Sequence, residues 1–384
     1  MRIAMLANMY GPKSGGIKTT LNSLSQQYEK LGHEVLVITP SDKDFVEQVG
    51  FIKKVSIASP SIPYTGGYRI IVRSKKIIEV LNSFHPDIIE ISDRTTLISV
   101  ARWARGKKIP TVFFAHERLD GVLSAFLPRF PFRRLLITNW NRLTNRIFTR
   151  IVATTEYAAF EFKKIKSQKL SIVPLGVDLE VFTPNWSMSG RGQGGEKFNY
   201  LISATRLSKE KDPLLLIEIS RALQRKNINT PILIYGTGPM LQKMQEIVDA
   251  EDLNIYFMGY LSDKRQLAAR IANADVYLAP GPIETFGLSA LEALACGTPV
   301  LCRESSALKE IIDSSCGVAL PRQAEAWVVQ IENLQRYDRI FIAKKARNRA
   351  ENFSWSDSAK SLLSLHTNNL KSSVTIPETS SFAK

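Results

Sequence analysis

The stretch from residue 280 to residue 301, PGPIETFGLSALEALACGTPVL, constrains the fold of this chain more than any other. The apolar run Val276–Ala279 before it is typical of a buried strand. Apolar residues at helical spacing follow, Gly297 and Pro299 end the helix, and Val300–Leu301 begins the next strand. Strand, loop, helix and strand in this order are typical of a parallel sheet whose strands are joined by helices.

Two glutamates lie in this stretch with seven residues between them, Glu284 in the loop and Glu292 in the helix. The residues from Phe286 to Leu288 lie where the helix begins, and the free N–H groups and positive dipole of a helix N-terminus suit a phosphate. Carboxylates accept hydrogen bonds from sugar hydroxyls. Together these groups predict a nucleotide-sugar site. The alternative is that both glutamates lie on a solvated helix face.

The same alternation of strands and helices runs through the whole chain. The other predicted strands are Arg2–Leu6, Val35–Thr39, Ile88–Ile91, Thr111–Phe114, Ile151–Ala153, Asn199–Ala204, Ile232–Tyr235, Ile255–Phe257 and Val318–Ala319. At 384 residues the chain exceeds the usual size of one hydrophobic core. We therefore predict an α/β protein with two Rossmann-like parallel-sheet domains that face a central cleft.

The composition of the connecting segments places the domain boundaries. The first domain is predicted over residues 1–180 and the second over residues 199–350, with a Gly/Ser-rich hinge at 181–198. A helix at 351–370 is expected to cross back to the first domain. The Ser/Thr-rich tail at 371–384 is expected to be disordered.

Ligands of open parallel sheets bind outside the carboxyl ends of the strands, so the loops after predicted strands carry the candidate site. In the first domain these loops bring the pair Gly15–Gly16, with Lys18 just inside the following helix, and His116. In the second domain Arg206 and Lys211 could both bind a diphosphate. Arginine would donate two parallel hydrogen bonds from its planar guanidinium, and lysine would contribute a compact positive charge. Further residues on this edge are Gly236, Gly238, Met258, Gly259 and Tyr260. The alternatives are a plain tight turn for the glycine pair and a structural role for the histidine.

The net charge of +15 is unevenly spread, since residues 1–180 contain 27 Lys and Arg against 15 Asp and Glu. Such a field attracts an anionic partner: nucleic acid, an acidic membrane surface or an anionic substrate. No recognisable nucleic-acid-binding module is present, and the dinucleotide fingerprint G-x-G-x-x-G is absent. A nucleic-acid-binding protein and a nucleotide-dependent oxidoreductase are therefore the weaker function classes.

Residues 121–150 hold much of this charge, with six arginines and no acidic residue. Aromatic residues and leucines lie between the arginines, which is typical of an interfacial membrane helix. The alternative is an ordinary amphipathic helix whose arginines face water. The candidate membrane or acceptor residues are Arg129, Arg133, Arg134, Trp140, Arg142 and Arg146.

The remaining composition predicts where the protein works. There is no run of eighteen apolar residues, and the N-terminal MRIAMLANMYGPK is typical of a first strand rather than a signal peptide. The cysteines Cys296, Cys302 and Cys316 lack metal-ligand spacing with histidines, which favours reduced thiols. We expect a cytoplasmic protein, peripheral on the inner face of the membrane.

Six motifs together resemble the retaining glycosyltransferases of family 4, which have the GT-B fold. They are GGIK, VPLGVDLEVFTP, ATRLSKEKD, YGTGP, FMGYL and PGPIETFGLSALEALACGTPV, and they span nearly the whole chain apart from its tail. In the first half, PDIIEISDRTTL and AHERLDGVLSAF narrow the resemblance to GDP-mannose-dependent α-mannosyltransferases that act on phosphatidylinositol or glucuronosyl-diacylglycerol lipids.

The resemblance implies a role for each motif residue. The Gly16 backbone and the amides of Phe286, Gly287 and Leu288 would contact the diphosphate, together with Arg206 and Lys211. Glu292 would bind the ribose, while Glu284 and His116 would lie at the transferred sugar. Thr285 and the loop residues named above complete the implied donor site. Thr237 stands where the family commonly has Asp, which puts the base or ribose contacts in doubt.

The expected function is transfer of a hexose, mannose from GDP-mannose, to a lipid or glycolipid acceptor at an anionic membrane surface, with retention of configuration. No metal ion or cofactor is expected, because Arg206, Lys211 and helix N–H groups can stabilise the leaving diphosphate. No nucleic-acid partner is expected. The main alternative is a UDP-glucose- or UDP-galactose-dependent family 4 enzyme with a soluble or other lipid acceptor.

Overall fold

A computed structural model describes residues 1–11, 15–62, 68–120, 132–185 and 199–374. The predicted hinge residues 186–198, the end of the predicted tail at 375–384, and Arg129 lie outside the described residues. The described chain forms two sheets, one in each half.

The first sheet has eight strands in the order β3-β4-β2-β1-β5-β6-β7-β8. The strands are β1 Arg2–Leu6, β2 Glu34–Ser41, β3 Phe45–Val49, β4 Ile52–Ala58, β5 Ile88–Ile91, β6 Thr111–Ala115, β7 Arg150–Ala153 and β8 Leu170–Ile172. The helices of this half are α1 Gly16–Lys30, α2 Ser74–Phe84, α3 Ile98–Gly106, α4 Arg133–Ile147 and α5 Glu156–Lys164. The central strands are almost completely buried, as expected of strands covered on both faces.

The second sheet has six strands in the order β11-β10-β9-β12-β13-β14, all parallel. The strands are β9 Leu201–Ala204, β10 Ile232–Tyr235, β11 Ile255–Gly259, β12 Val276–Ala279, β13 Val300–Arg303 and β14 Gly317–Leu320. The helices are α6 Leu214–Arg225, α7 Leu241–Ala250, α8 Lys264–Ala272, α9 Leu288–Ala295, α10 Leu308–Ile311, α11 Ala324–Arg336, α12 Arg339–Ala350 and α13 Trp355–Val374.

One strand departs from the predicted all-parallel pattern. Strand β3 pairs antiparallel with β4, with Phe45 opposite Ser56 and Val49 opposite Ile52. All five residues of β3 are exposed, so the strand has no buried face and shows no alternation that the sequence analysis could detect. An antiparallel edge strand on an otherwise parallel sheet is common in large α/β folds.

The C-terminal helix α13 packs on α1 of the first half. Gly176 makes this crossing possible, because a Cβ at that position would lie 2.1 Å from the Trp355 backbone nitrogen. Further along the helix, His366 Nε2 lies 2.7 Å from Glu90 Oε1, and the Tyr28 hydroxyl donates to the same oxygen at 2.7 Å. The helix therefore ties the two halves together, and it continues to Val374 rather than ending at residue 370.

Candidate functional site

The candidate residues of the second half lie on one edge of its sheet. Strands β11, β10, β9 and β12 are neighbours and run parallel, so their carboxyl ends lie side by side. The loops that follow them contain Arg206 and Lys211, the glycines of 236–238, Tyr260, and Glu284. Adjacency of these four strands gives the candidate residues a common location, which is the edge where open parallel sheets bind ligands.

The structure pairs two residues that the sequence analysis selected separately. Lys211 Nζ lies 2.5 Å from Glu284 Oε1, and the two side chains retain 27% and 21% of their exposure. An ammonium group has three donors, so Lys211 can keep this bond and still donate to a second anionic group. The pair can therefore serve an anion and a hydroxyl-bearing ligand at the same time.

Arg206 contacts a residue from the opposite side of the cleft. Its Nη2 donates to the Tyr68 hydroxyl, and its guanidinium carbon lies 4.6 Å from the centroid of the Tyr68 ring. Tyr68 was not selected by the sequence analysis, since a lone tyrosine in an irregular segment carries no recognisable signal. The first half therefore reaches the cationic loop of the second.

Two helix N-termini approach each other from the two halves. Helix α1 begins at Gly16 and α9 at Leu288, and a Cβ on Gly16 would lie 3.9 Å from Leu288 Cδ1. Gly15 and Gly16 are exposed, and Lys18 is half-buried in the first turn of α1. Both ends offer free N–H groups to an anion.

The start of α9 requires a glycine. Gly287 precedes the helix with φ of +85°, a conformation that only glycine adopts without strain. Beside it Phe286 is buried and packs edge-on against Phe353, with ring centroids 6.1 Å apart. The backbone that presents this helix N-terminus is therefore held by packing from the C-terminal region.

The loops after β9 and β10 interlock through glycines. A Cβ on Gly236 would lie 1.9 Å from the Thr205 carbonyl oxygen, and one on Gly238 would lie 2.3 Å from the Leu207 carbonyl oxygen. The Leu207 amide donates to the Thr237 carbonyl at 3.1 Å. On the next strand and loop, Met258 and Tyr260 are half-exposed, offering apolar and aromatic surface to a flat ring.

His116 lies at the carboxyl end of β6 as predicted for a strand-end residue. Its Nε2 is 3.0 Å from the Ser92 hydroxyl, and its ring stacks on Phe114 with centroids 5.1 Å apart. Burial lowers the pKa of His116 to about 4, so the imidazole is neutral at neutral pH. It can exchange hydrogen bonds with a ligand but contributes no positive charge.

Thr285 joins the donor loop to the His116 loop. Its hydroxyl donates to the His116 carbonyl at 2.5 Å, and its own carbonyl accepts from the Thr155 hydroxyl at 2.7 Å. Nearby, the Glu310 carboxylate accepts from the backbone amides of Glu156 and Tyr157, each at 2.8 Å. Thr155 was detectable as a helix N-cap, whereas Glu310 had no signal in the sequence.

Glu292 has an unusual environment. Burial raises the pKa of its carboxyl to about 7, with Lys264 opposing the shift. Within the described part of the chain no hydrogen bond to its carboxylate is recorded, so it is available to a ligand's hydroxyl groups.

Glu292→Gln is expected to flatten the pH dependence of stability. Because the folded pKa lies above the unfolded one, Glu292 stabilises the fold fully below about pH 4.3, and this contribution is lost as pH rises through about 7. Its loss is on the order of 1 kcal/mol, after discounting for partial exposure. Thermal unfolding of nucleotide-free protein at pH 5 and pH 8 measures it. Exposed Glu246 provides the control variant Glu246→Gln, and parallel profiles for wild type and Glu292→Gln would contradict the assignment.

The basic segment forms α4 in its described part. One narrow side of the helix is buried, through Ile137, Asn141 and Thr144. The exposed cationic and large apolar residues are Phe132, Arg134, Leu135, Leu136, Trp140, Arg142 and Arg146. Arg133 begins the helix, and its side chain lies outside the described atoms, as does all of Arg129. The exposed side is thus both cationic and apolar.

Two kinds of feature are absent from the described residues. None of the helices within 1–11, 15–62, 68–120, 132–185 and 199–374 is long and apolar enough to cross a membrane. In the same residues no three His, Cys, Asp or Glu side chains are grouped as metal ligands would be. Cys296, Cys302 and Cys316 are buried free thiols, and burial raises the pKa of each.

Comparison with known proteins identifies relatives of this arrangement. The family described as Glycosyltransferase Family 4 matches residues 14–181, and the family described as Glycosyl transferases group 1 matches residues 189–352. The GDP-mannose-dependent alpha-(1-6)-phosphatidylinositol dimannoside mannosyltransferase of Mycobacterium tuberculosis is 36% identical, over 94% of this chain and 95% of that protein. The alpha-monoglucosyldiacylglycerol synthase of Streptococcus pneumoniae is 25% identical, over 83% of this chain and 75% of that protein.

A solved structure shows the same architecture. The sucrose-phosphate synthase of Thermosynechococcus elongatus superposes with a TM-score of 0.74 at 19% identity, over 97% of this chain and 99% of that one. At this identity the likeness is one of fold. The predicted arrangement of two Rossmann-like domains is confirmed.

Proposed function

This chain belongs to glycosyltransferase family 4, and on that basis we propose that it transfers mannose from GDP-mannose to a phosphatidylinositol-based glycolipid. The enzyme class follows from the family, and the donor and acceptor follow the relative that is 36% identical over nearly the full length of both chains. The observation that carries the site assignment is the Lys211–Glu284 pair on the strand edge shared with Arg206.

In the proposed site, positively charged groups bind the diphosphate and carboxylates hydrogen-bond the sugars. Arg206, Lys211 and the helix N–H groups at Gly16 and Leu288 hold the diphosphate and stabilise the negative charge that develops as it leaves. Glu292 accepts hydrogen bonds from the ribose, and Glu284 accepts them from the transferred sugar. Because these cations supply the stabilisation, the proposed reaction needs no metal ion.

The proposed chemistry is a substitution at the anomeric carbon with retention of configuration. The bond from that carbon to the phosphate oxygen breaks, and the acceptor hydroxyl forms the new bond on the same face. The departing phosphate takes the hydroxyl proton, so no side chain is assigned as nucleophile. Neutral His116 lies at the carboxyl end of β6, bonded through its carbonyl to the loop of Glu284, and hydrogen-bonds the sugar.

The proposed acceptor is presented by a membrane. The exposed side of α4 combines Leu135, Leu136 and Trp140 with arginines, a composition that suits the interface of an anionic bilayer. Each arginine near such a surface contributes about 1 kcal/mol. Buried free thiols fit a reducing compartment, so we place the enzyme on the cytoplasmic face.

A second candidate keeps the fold and the site but changes the substrates. This candidate uses a UDP-sugar as its donor. Two observations favour it: Thr237 stands where the family commonly has Asp, and a glucosyl-lipid synthase is 25% identical to this chain. A change of base would be read by the loop and strand residues around Thr237, Met258 and Tyr260, leaving the diphosphate contacts intact.

Donor turnover by the purified protein tests the proposal. GDP-mannose, UDP-glucose and UDP-galactose are each supplied with phosphatidylinositol dimannoside. Each mixture is tested without vesicles, with vesicles of phosphatidylcholine alone, and with phosphatidylcholine vesicles that contain phosphatidylinositol. We expect GDP release from GDP-mannose, increased by the anionic vesicles and not by vesicles of phosphatidylcholine alone. Turnover of a UDP-sugar alone would replace the donor, and equal rates with both vesicle types would count against α4 as a membrane contact.

A further inference from the structure

Arg94 is a buried arginine outside the donor site, and it contacts three separate elements. Its Nη2 lies 3.0 Å from Glu161 Oε2 on α5, and both side chains are almost fully buried. Its Nη1 donates to Asn141 Oδ1 on α4 at 2.5 Å, and Nη2 also approaches the Glu117 carbonyl at 3.4 Å. One guanidinium therefore connects α5, the inner side of α4 and the residue after His116.

Further bonds fasten both ends of the His116 loop, residues 116–120, to this arginine and its partner. Glu161 Oε1, the oxygen that does not face Arg94, accepts from the Asp120 amide at 2.6 Å. The Arg94 carbonyl accepts from the Trp140 indole N–H at 3.2 Å. The loop is thus held by its Glu117 and Asp120 backbone, and α4 is held by two successive residues.

The two sides of α4 differ in burial, and Arg94 contacts the buried side. Asn141 is buried against Arg94, whereas Leu135 and Leu136 on the same helix are more than half exposed. Trp140 bonds to Arg94 while keeping 38% of its surface exposed. The helix proposed to meet the bilayer is consequently bonded to the loop that carries His116.

The donor side of the same loop is held independently. The Thr285 hydroxyl donates to the His116 carbonyl, so the second half positions His116 relative to the donor. The Arg94 bonds position the loop relative to α4. A buried ion pair of this kind is weak evidence for stability alone, since apolar residues of similar volume often serve as well.

We infer that Arg94 is a positioning residue that fixes the His116 loop relative to the membrane-facing side of α4. An acceptor anchored in a bilayer can approach only from that side, so its headgroup must meet His116 at a set height above the lipid. A free headgroup in solution can adjust its position. The inference rests on the proposed function, and it predicts an effect confined to the anchored acceptor.

Substitution of Asn141 tests this inference without touching the donor site. Asn141→Leu removes the oxygen that accepts the Arg94 hydrogen bond, whereas Asn141→Asp retains an acceptor oxygen. If the leucine variant does not fold, Asn141→Ala removes the same acceptor with a smaller side chain. Asn348→Leu, at an exposed position of α12 in the second half, is the matched control. Turnover is measured with phosphatidylinositol dimannoside in anionic vesicles and with its deacylated, water-soluble headgroup.

We expect Asn141→Leu to lower kcat on the vesicle acceptor by about tenfold or more, since misplacement of about 1 Å can cost a hundredfold. Turnover of the soluble headgroup and the KM for GDP-mannose should stay within about twofold, and Asn141→Asp should retain the wild-type ratio of the two rates. Equal losses on both acceptors, or no loss on either, would overturn the inference alone. Wild-type protein that turns over neither acceptor would overturn the proposed function and the inference with it.

Discussion

Lys211→Ala and Arg206→Ala are each expected to lower turnover by about a hundredfold or more, corresponding to about 2.7 kcal/mol of lost transition-state stabilisation. Both groups are preorganised: Lys211 by its 2.5 Å bond to Glu284, and Arg206 by the Tyr68 ring and hydroxyl. A leaving diphosphate gains negative charge in the transition state, so removing a fixed cation raises the barrier more than it weakens ground-state binding. The loss should therefore fall on kcat more than on KM.

Lys209 provides the matched control for this experiment. It lies in the same 3-10 turn as Lys211, two residues away, and its side chain is exposed. Lys209→Ala changes the net charge by the same amount, so a purely long-range electrostatic effect would appear in both variants. Near-normal kcat for Lys211→Ala and Arg206→Ala together would remove the diphosphate clamp from the proposed mechanism.

Gly238→Ala is expected to lower the free energy of unfolding by about 3 kcal/mol, the upper end of the usual cost of overpacking. The new Cβ would lie 2.3 Å from the Leu207 carbonyl oxygen, with the carbonyl carbon at 2.6 Å and the Leu207 nitrogen at 2.8 Å. These are backbone atoms, which cannot turn aside as a side chain can. The loop after β9 must move, and Arg206 beside Leu207 moves with it.

The same substitution should weaken GDP binding by about tenfold or more, equivalent to about 1.4 kcal/mol. Chemical denaturation and calorimetric titration with GDP measure the two effects. Gly106→Ala is the control, because a Cβ there meets no atom within 4 Å. Unchanged stability and GDP affinity in Gly238→Ala would show that the two loops are not locked in the way the geometry requires.

Much of the architecture could be predicted because two sequence features act locally. They are the spacing of apolar residues and the glycines and prolines at which helices and strands end. The apolar runs and helical spacings located strands such as Arg2–Leu6 and Val276–Ala279 to the residue. The resemblance to family 4 is confirmed by the 36% identical relative. Strands β3, β4 and β8 were missed. Strand β3 is a fully exposed edge strand, so it has neither apolar alternation nor a buried run.

The sequence predicted which residues of the candidate site lie at strand ends, but it did not predict which of them touch. Arg206, Lys211 and Glu284 were found because each follows a strand, and parallel strands collect their carboxyl ends on one edge. Their pairing was not predictable, since Lys211 and Glu284 are 73 residues apart and spacing carries no information on which loops touch. For the same reason the sequence could not identify the contacts of Tyr68, of Glu310 or of the buried side of α4.

The amino-acid sequence by itself determined the fold class, the positions of most strands, the helices α1 and α9, and the residue types that converge at the strand ends. These follow from side-chain period, glycine and proline positions and charge, all of which act over a few residues. Only the tertiary structure decided which distant groups meet, both across the cleft and within the first half. Thr285 bonds to His116 across 169 residues, and Arg94 joins Glu161 and Asn141 across 67 and 47. Such contacts depend on how helices, loops and domains pack, and no short-range pattern in the chain specifies them.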